Sequence, residues 1–225
     1  MSAQGFAERS RMRRSKVGPV IAVSGNVASG KSSLIALLAE HLSPSYVHLE
    51  KPEMNPFVRR ASRGNARFHL PSQVWFLLDS ASALRVAHDT PGLSFLERSP
   101  AENAIFARAV LTGPRYVLYR RLFRHLLRAV NPPDGLIYLK ADSSVRDRRS
   151  RQRKHPLHDT SFLRRMTPGF AEAYSNLVRQ YQRRGPTFIL ESRNYDFVSS
   201  TTDQMAVVNQ ISQWLRASFR GQQRV

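Results

Sequence analysis

The chain has 225 residues, of which 41% are hydrophobic, and this suits one compact domain with a sizeable core. It contains no cysteine, which excludes disulfides, thiolate metal sites and cysteine nucleophiles, and no apolar run reaches the roughly 18 residues of a membrane span. Lysine and arginine number 35 against 16 acidic residues, a net charge of +19, which favours a phosphate-rich partner.

The basic excess has more than one interpretation. The partner could be a nucleotide in a cleft or a nucleic-acid backbone over a wide surface. The excess could also be a bias of composition, with the arginine side chains merely solvated on helix faces. Residues 1–16 are polar and basic, with Glu8 as their one acid, and we expect a disordered arm there. A mitochondrial presequence is the alternative for this arginine- and serine-rich start.

Beyond residue 16, short apolar runs alternate with amphipathic segments. Such alternation predicts an α/β fold, a doubly wound parallel sheet of five strands with helices on both faces, in a single domain over 17–225. In such a sheet, ligands bind beyond the carboxyl ends of the strands. In chain order the pattern predicts a strand at 17–24, a helix at 32–41, strand 46–50, helix 71–87, strand 92–96, helices 101–111 and 114–130, strand 135–140, helix 160–183, strand 187–191 and helix 203–219.

The first strand leads into a glycine-rich loop that fits the pattern G-x-x-x-x-G-K-[ST] and predicts a fold of the P-loop NTPase type. Its glycines let backbone N–H groups converge on phosphate oxygens, and the next helix adds the positive end of its dipole. We expect Lys31 to reach the β- and γ-phosphates of ATP and Ser32 to ligate Mg²⁺. An ordinary glycine turn is the alternative. The loop consists of Gly25, Asn26, Val27, Ala28, Ser29, Gly30, Lys31 and Ser32.

Two carboxylates stand at predicted strand ends, Glu50 after the second strand and Glu97 after the third. A kinase needs one carboxylate to accept the proton of the acceptor hydroxyl and usually another to hold Mg²⁺. Each could instead be a surface glutamate, but in a doubly wound sheet both would lie beside the phosphate loop.

An arginine-rich segment follows the fourth strand and predicts a lid over about 145–158. Guanidinium groups bind phosphate bidentately and offset the charge that develops during phosphoryl transfer. We expect Arg148, Arg151 and Arg153 to close over the transferring phosphate. A solvated helix and a nucleic-acid-binding patch are the alternatives for these residues.

Together these motifs resemble the deoxynucleoside kinase family, the group of deoxycytidine, deoxyguanosine, deoxyadenosine and mitochondrial or herpesviral thymidine kinases. The resemblance implies that ATP phosphorylates the 5′-hydroxyl of a deoxynucleoside, a salvage reaction for DNA synthesis. It rests on the order and spacing of GNVASGKSS at 25–33, LEKPEMNPF at 49–57, Gln73 with WFLL after it, ERS at 97–99, IFA at 105–107, LIYLKA at 136–141, the arginine segment and NYDF at 194–197.

The resemblance also implies roles for individual residues. Glu50 would be the catalytic base, and Gln73 would hydrogen-bond the edge of the nucleobase. Glu97 would lie near Mg²⁺, and Arg98 would steady the catalytic base and the transferring phosphate. Phe197 would lie near the adenine of ATP. The remaining matches are Lys31 and Ser33 in the phosphate loop and Arg148, Arg151 and Arg153 in the lid.

Several positions depart from the family's pattern. Lys51 interrupts the family's Glu-Pro pair, and Ser62 stands where the family has the tyrosine that holds the sugar 3′-hydroxyl. Asp159 is the candidate for the family's lid-helix glutamate. The Arg and Asp that some purine and cytosine kinases use at the base appear as Ser80 and Asn103, so we expect a pyrimidine substrate, thymidine first.

Two other functions stay open from the sequence alone. One is a nucleoside monophosphate kinase or another small-molecule kinase on the same scaffold, and the other is a basic nucleic-acid-binding P-loop ATPase. We expect a deoxynucleoside as the partner rather than nucleic acid or a membrane. The helices at 70–87 and 114–130 could form a homodimer face or simply pack in the core. We expect a cytoplasmic protein, with the mitochondrion as the alternative.

Overall fold

The structure, a computed structural model, describes residues 18–141 and 169–220. The predicted arm at 1–16 and the predicted lid at 145–158 lie outside the described residues. The same is true of four predicted site residues, Arg148, Arg151, Arg153 and Asp159.

The described part of the chain forms a five-stranded sheet with the strand order β2-β3-β1-β4-β5, and every neighbouring pair is parallel. The predicted doubly wound α/β fold is confirmed. The elements are β1 (Val20–Ser24), α1 (Lys31–Leu42), β2 (Tyr46–His48), a 3₁₀ turn (Pro52–Met54), α2 (Val58–Ser62), a 3₁₀ turn (Ala66–Phe68), α3 (His69–Asp89), β3 (Ser94–Glu97), α4 (Pro100–Val110), α5 (Gly113–Ala129), β4 (Gly135–Lys140), α6 (Phe170–Gln182), β5 (Thr187–Glu191), a 3₁₀ turn (Ser192–Asn194) and α7 (Thr201–Ser218).

Helices cover both faces of the sheet, and the central strand β1 shows how. Its side chains alternate between the faces with a period of two, as in any strand. Ile21 and Val23 pack with residues of α1 and α7, whereas Val20 packs with α3 and Ala22 packs with α6. A strand buried on both faces must be apolar throughout, which explains the uninterrupted run VIAV.

The edge strand β2 is shorter than the sequence predicts, because it ends at His48 and not at Glu50. Its partner β3 ends at Glu97, and the next residue, Arg98, takes a left-handed φ of 68° that carries the chain out of the ladder. Pro52 then starts a 3₁₀ turn. Glu50 therefore lies in the loop two residues beyond β2.

The register of the central strands brings several loops to one edge of the sheet. Val23 pairs with Glu97 of β3, and Ser24 pairs with Tyr138 of β4. The phosphate loop after β1 and the Glu97–Arg98 segment after β3 are therefore neighbours. Within the described residues, no helix combines the length and the apolar character that crossing a membrane requires.

Candidate active site

The phosphate loop lies between β1 and α1, where the sequence predicts it. Its first glycine cannot carry a side chain, because a Cβ at Gly25 would lie 2.6 Å from the carbonyl oxygen of Leu139. Its second, Gly30, has a left-handed φ of 105° just before α1. The turn is closed by the Ser29 amide, which donates to the Asn26 carbonyl at 3.2 Å. The loop thus wraps tightly in front of the α1 N-terminus, the arrangement that binds phosphate.

Lys31 is buried and folds back over the loop. Its Nζ donates to the carbonyl of Gly25 at 2.8 Å and to that of Asn26 at 3.1 Å. Burial lowers the pKa of this ammonium, and the charge of Arg98 lowers it further, while three carboxylates oppose the change. The ammonium is therefore held against the backbone of the loop, where a bound anion would improve its electrostatic environment.

Ser32 and Glu97, the two residues predicted to hold Mg²⁺, are in contact. The Ser32 hydroxyl donates to Oε1 of Glu97 at 3.0 Å, so the first turn of α1 meets the end of β3. A hydroxyl and a carboxylate supply the oxygen ligands that Mg²⁺ prefers, and Mg²⁺ in phosphoryl-transfer sites takes few protein ligands besides the substrate phosphates. The pair therefore fits this ion.

Glu50 and Arg98 form an ion pair beside the loop. Arg98 Nε lies 3.3 Å from Glu50 Oε2, and the two side chains are only 15% and 11% exposed. Burial raises the pKa of the Glu50 carboxyl, an effect that Arg98 opposes and the charge of Glu97 reinforces. A carboxylate with a raised pKa is a stronger base than an exposed one.

Two of the residues predicted to bind the nucleoside, Gln73 and Asn103, lie on α3 and α4. Gln73 is buried near the start of α3. The Asn103 amide donates to the Ser80 hydroxyl at 2.6 Å and to the carbonyl of Phe76 at 3.2 Å, so Ser80 and Asn103 form a neutral, hydrogen-bonded pair. Ser62 is buried at the end of α2, where its hydroxyl donates to the Arg59 carbonyl.

Phe197 belongs to the large core cluster between the sheet, α1 and α7, and its side chain is 2% exposed. Contact with adenine stays a prediction for this residue. Ser33 is half-buried in the first turn of α1 beside Ser32.

Two residues of this cluster, Glu102 and Tyr174, were not predicted from the sequence. The Glu102 carboxylate is fully buried and accepts a hydrogen bond from the Ser24 hydroxyl at 2.5 Å and one from the Tyr174 hydroxyl at 2.7 Å. The i, i+4 spacing from Arg98 to Glu102 is the signal that could have revealed the carboxylate. Tyr174 lies 72 residues further along the chain, and its sequence neighbourhood gives no comparable signal.

Comparison with known proteins identifies the family of the chain. Residues 21–216 match the family model for deoxynucleoside kinases. A deoxyadenosine kinase of Lactobacillus acidophilus is 24% identical over 213 residues, which cover 88% of this chain and 96% of that protein. A deoxyguanosine kinase of Bacillus subtilis is 22% identical over 199 residues, which cover 82% of this chain and 92% of that protein.

Solved structures share the fold. The deoxyadenosine kinase of M. mycoides with bound dATP superposes with a TM-score of 0.69 at 19% identity, covering 86% of this chain and 99% of that one. The same enzyme with bound dCTP gives a TM-score of 0.68 at 17% identity and the same coverage. The match to the family model spans most of the chain, and the chain belongs to the deoxynucleoside kinase family.

Proposed function

We propose that this deoxynucleoside kinase transfers the γ-phosphoryl group of ATP to the 5′-hydroxyl of its substrate, with Glu50 as the base. The observation that carries the proposal is the meeting of three features at one edge of the sheet. These are the phosphate loop, the Ser32–Glu97 contact and the buried Glu50–Arg98 pair. A phosphate-binding loop beside a carboxylate of raised pKa is what phosphorylation of a hydroxyl requires.

In the proposed reaction, Glu50 accepts the proton of the 5′-hydroxyl as its oxygen forms a bond to the γ-phosphorus. The bond between the γ-phosphorus and the bridging oxygen breaks, and ADP leaves. Lys31, Arg98 and the backbone N–H groups of residues 25–33 stabilise the charge on the transferring group. Ser32 and Glu97 would hold Mg²⁺, which neutralises phosphate charge when it is bound. The lid arginines predicted from the sequence, Arg148, Arg151 and Arg153, would close over the same group.

The nucleoside would lie against α3 and α4, with Gln73 at the base edge and Asn103 beside it. Two observations favour different nucleobases. The uncharged Ser80–Asn103 pair favours a pyrimidine, thymidine first, because it lacks the charged residues used for some purines and cytosine. The relatives that the chain matches are named deoxyadenosine and deoxyguanosine kinases, which favours a purine. Asp159 and Phe197 complete the proposed substrate and ATP contacts.

A coupled ADP-release assay with ATP and Mg²⁺ tests the proposal across the four deoxynucleosides. We expect ADP release that depends on a deoxynucleoside, and the fastest substrate decides between purine and pyrimidine. A deoxynucleoside monophosphate and long DNA are the comparison substrates. Preference for the monophosphate, or ATP turnover that needs no nucleoside, would contradict the proposed reaction.

A further inference from the structure

Glu102 is a buried carboxylate that three other residues of the site contact. Ser24 at the end of β1 donates to its Oε2, and Tyr174 of α6 donates to its Oε1. Arg98, in the loop before α4, places Nε 3.6 Å from Oε1. Glu102 itself lies in the first turn of α4 and has no exposed surface. Burying a carboxylate is costly unless it is paired and hydrogen-bonded, and here both conditions are met.

Arg98 is divided between two carboxylates. Its Nε lies 3.3 Å from Glu50 and 3.6 Å from Glu102, and its guanidinium stands over the Phe106 ring at 4.2 Å from the centroid. The backbone of Arg98 is fixed by its left-handed φ and by its amide, which donates to the Val23 carbonyl at 3.0 Å. Because backbone and ring restrict the guanidinium, the balance between the two carboxylates decides how closely it approaches Glu50.

Tyr174 links the same carboxylate to the phosphate loop. Its hydroxyl oxygen is 2.7 Å from Glu102 and 3.1 Å from the carbonyl oxygen of Gly25, to which Lys31 also donates. Burial raises the pKa of Tyr174 well above its usual range, and the charge of Glu102 raises it further, so the phenol keeps its proton and acts as a donor. One hydrogen-bonded cluster thus contacts both the phosphate loop and Arg98, the ion-pair partner of Glu50.

We propose that Glu102 and Tyr174 are positioning residues of the kinase. Glu102 draws Arg98 away from a closer ion pair with Glu50, so that Glu50 can accept the proton of the substrate, and Tyr174 holds this carboxylate against the phosphate loop. The inference rests on the proposed function of Glu50. The charged groups that face Glu50 are Arg98, Glu97, Lys31 and Glu102. Without the charge of Glu102, Arg98 pairs more closely with Glu50, and a closer pair makes Glu50 a weaker base.

The test compares kcat against pH for wild type and Glu102→Gln, at saturating ATP and with the deoxynucleoside that wild type phosphorylates fastest. The glutamine keeps the shape and can still accept hydrogen bonds, but it removes the charge. We expect the acid limb of the profile to move to lower pH by about one unit, with kcat on the plateau reduced roughly 3- to 10-fold. Glu102→Asp keeps the charge and should leave the acid limb near its wild-type position. Glu40→Gln, on the exposed side of α1, is the matched control.

Tyr174→Phe provides the opposite test and keeps the ring in its cluster with Phe106 and Phe170. Glu102 then loses a donor but not its charge, so it attracts Arg98 more strongly and the acid limb should move to higher pH. If Glu102→Gln fails to fold, Tyr174→Phe alone tests the positioning role. Tyr119→Phe is the control, because Tyr119 is a buried tyrosine of α5 whose hydroxyl has no hydrogen-bond partner among the described residues.

The outcomes separate the two proposals. Wild type that phosphorylates no deoxynucleoside would overturn the proposed function itself. If wild type is active and requires Glu50, but the acid limb stays in place in both Glu102→Gln and Tyr174→Phe, Glu102 does not tune Glu50 and the positioning role is wrong. A downward shift in the first variant, or an upward shift in the second, supports the role, since a merely structural residue would lower stability without moving the limb.

Discussion

Glu50 is the residue on which the proposed chemistry depends most directly. Replacing it with glutamine keeps the size of the side chain but removes the proton acceptor, and we expect kcat to fall by about 10²- to 10⁴-fold. In wild type, kcat should fall as the pH drops through the Glu50 pKa. Because burial raises that pKa, the fall should begin above the usual range of a carboxyl group. Steady-state rates against pH measure both effects.

The melting temperature of Glu50→Gln is the control for that experiment, because it shows whether a lower rate comes from lost stability. A carboxyl whose pKa is raised on folding contributes stability at low pH that is lost as the pH rises through the folded-state pKa. At neutral pH the ionised side chain is therefore unfavourable to the fold, and Arg98 keeps Glu102 as a partner in the variant. Near-normal phosphorylation by Glu50→Gln would show that another group accepts the proton.

Replacing Ser32 tests the proposal that its hydroxyl binds Mg²⁺. Its hydroxyl already contacts Glu97, so removing it in Ser32→Ala should raise the Mg²⁺ concentration needed for half-maximal rate by about 10-fold or more. Ser32→Thr keeps the hydroxyl and should behave like wild type. A titration of rate against Mg²⁺ at fixed ATP measures the effect. Equal Mg²⁺ requirements in wild type and Ser32→Ala would contradict a metal-binding role for this side chain.

Local patterns in the sequence identified these individual residues to different degrees. Lys31 and Ser32 belong to a contiguous motif with a known physical role, and Glu50 and Glu97 follow apolar runs, so each could be predicted from its neighbours. Tyr174 could not, because its contact with Glu102 joins positions 72 residues apart. Glu102 has a local signal only in its spacing from Arg98, and its contact with Ser24 joins positions 78 residues apart. Such contacts depend on how α4 and α6 pack on the sheet, which a local pattern does not specify.

The phosphate loop, as a structural element, depends on the absence of a side chain at Gly25. A Cβ there would lie 2.6 Å from the Leu139 carbonyl oxygen and 2.8 Å from the Ser29 hydroxyl, so the loop backbone must move. We expect Gly25→Ala to lose ATP turnover and about 1–3 kcal/mol of unfolding free energy. Urea denaturation and the ADP-release assay measure the two effects.

The matched control for that variant is Gly113→Ala at the start of α5. Gly113 has a left-handed φ of 53°, so alanine should cost roughly 1 kcal/mol, but a Cβ at this position meets no atom within 4 Å. Activity should be unchanged in the control. If both variants lost activity equally, the clash with Leu139 would not explain the effect of Gly25→Ala.

The elements themselves followed the sequence closely, because strong apolar periodicity fixes the long helices and buried strands. The main exception is the region between β2 and α3, where the short helix α2 and two 3₁₀ turns were not predicted, and the 3₁₀ turn Ser192–Asn194 was not predicted either. These segments have few apolar residues at the spacing of a helix or a strand. Individual contacts hold them instead, such as the hydrogen bond that the Asn65 side chain accepts from the Arg67 amide. Of the helix predicted at 160–183, residues 160–168 lie outside the described residues. Ser62, the residue that replaces the family's sugar-binding tyrosine, lies at the end of this α2 segment.

Across the whole molecule, exposed apolar side chains are concentrated on two packed helices. Five of the nine large hydrophobic side chains that are exposed among the described residues lie on α3 and α5: Leu78, Val86, Val117, Leu118 and Leu122. Such a concentration marks an interaction surface more often than a free one. A second copy of this chain is the partner that we propose, because exposed apolar side chains on these two helices favour a homodimer face, one of the two alternatives that the sequence left open for them.

Leu118→Glu should therefore convert a dimer into a 25.6 kDa monomer, because it places a charge within the proposed contact. Sedimentation velocity at micromolar protein measures the change. Met205→Glu is the control, since Met205 is a comparably exposed apolar residue on the distant helix α7 and its replacement should leave a dimer intact. A wild-type protein that sediments as a monomer would show that the exposed side chains of α3 and α5 do not mediate self-association. The active-site residues described above all lie within one chain, so the monomeric variant should keep its kinase activity as long as its helices hold their positions.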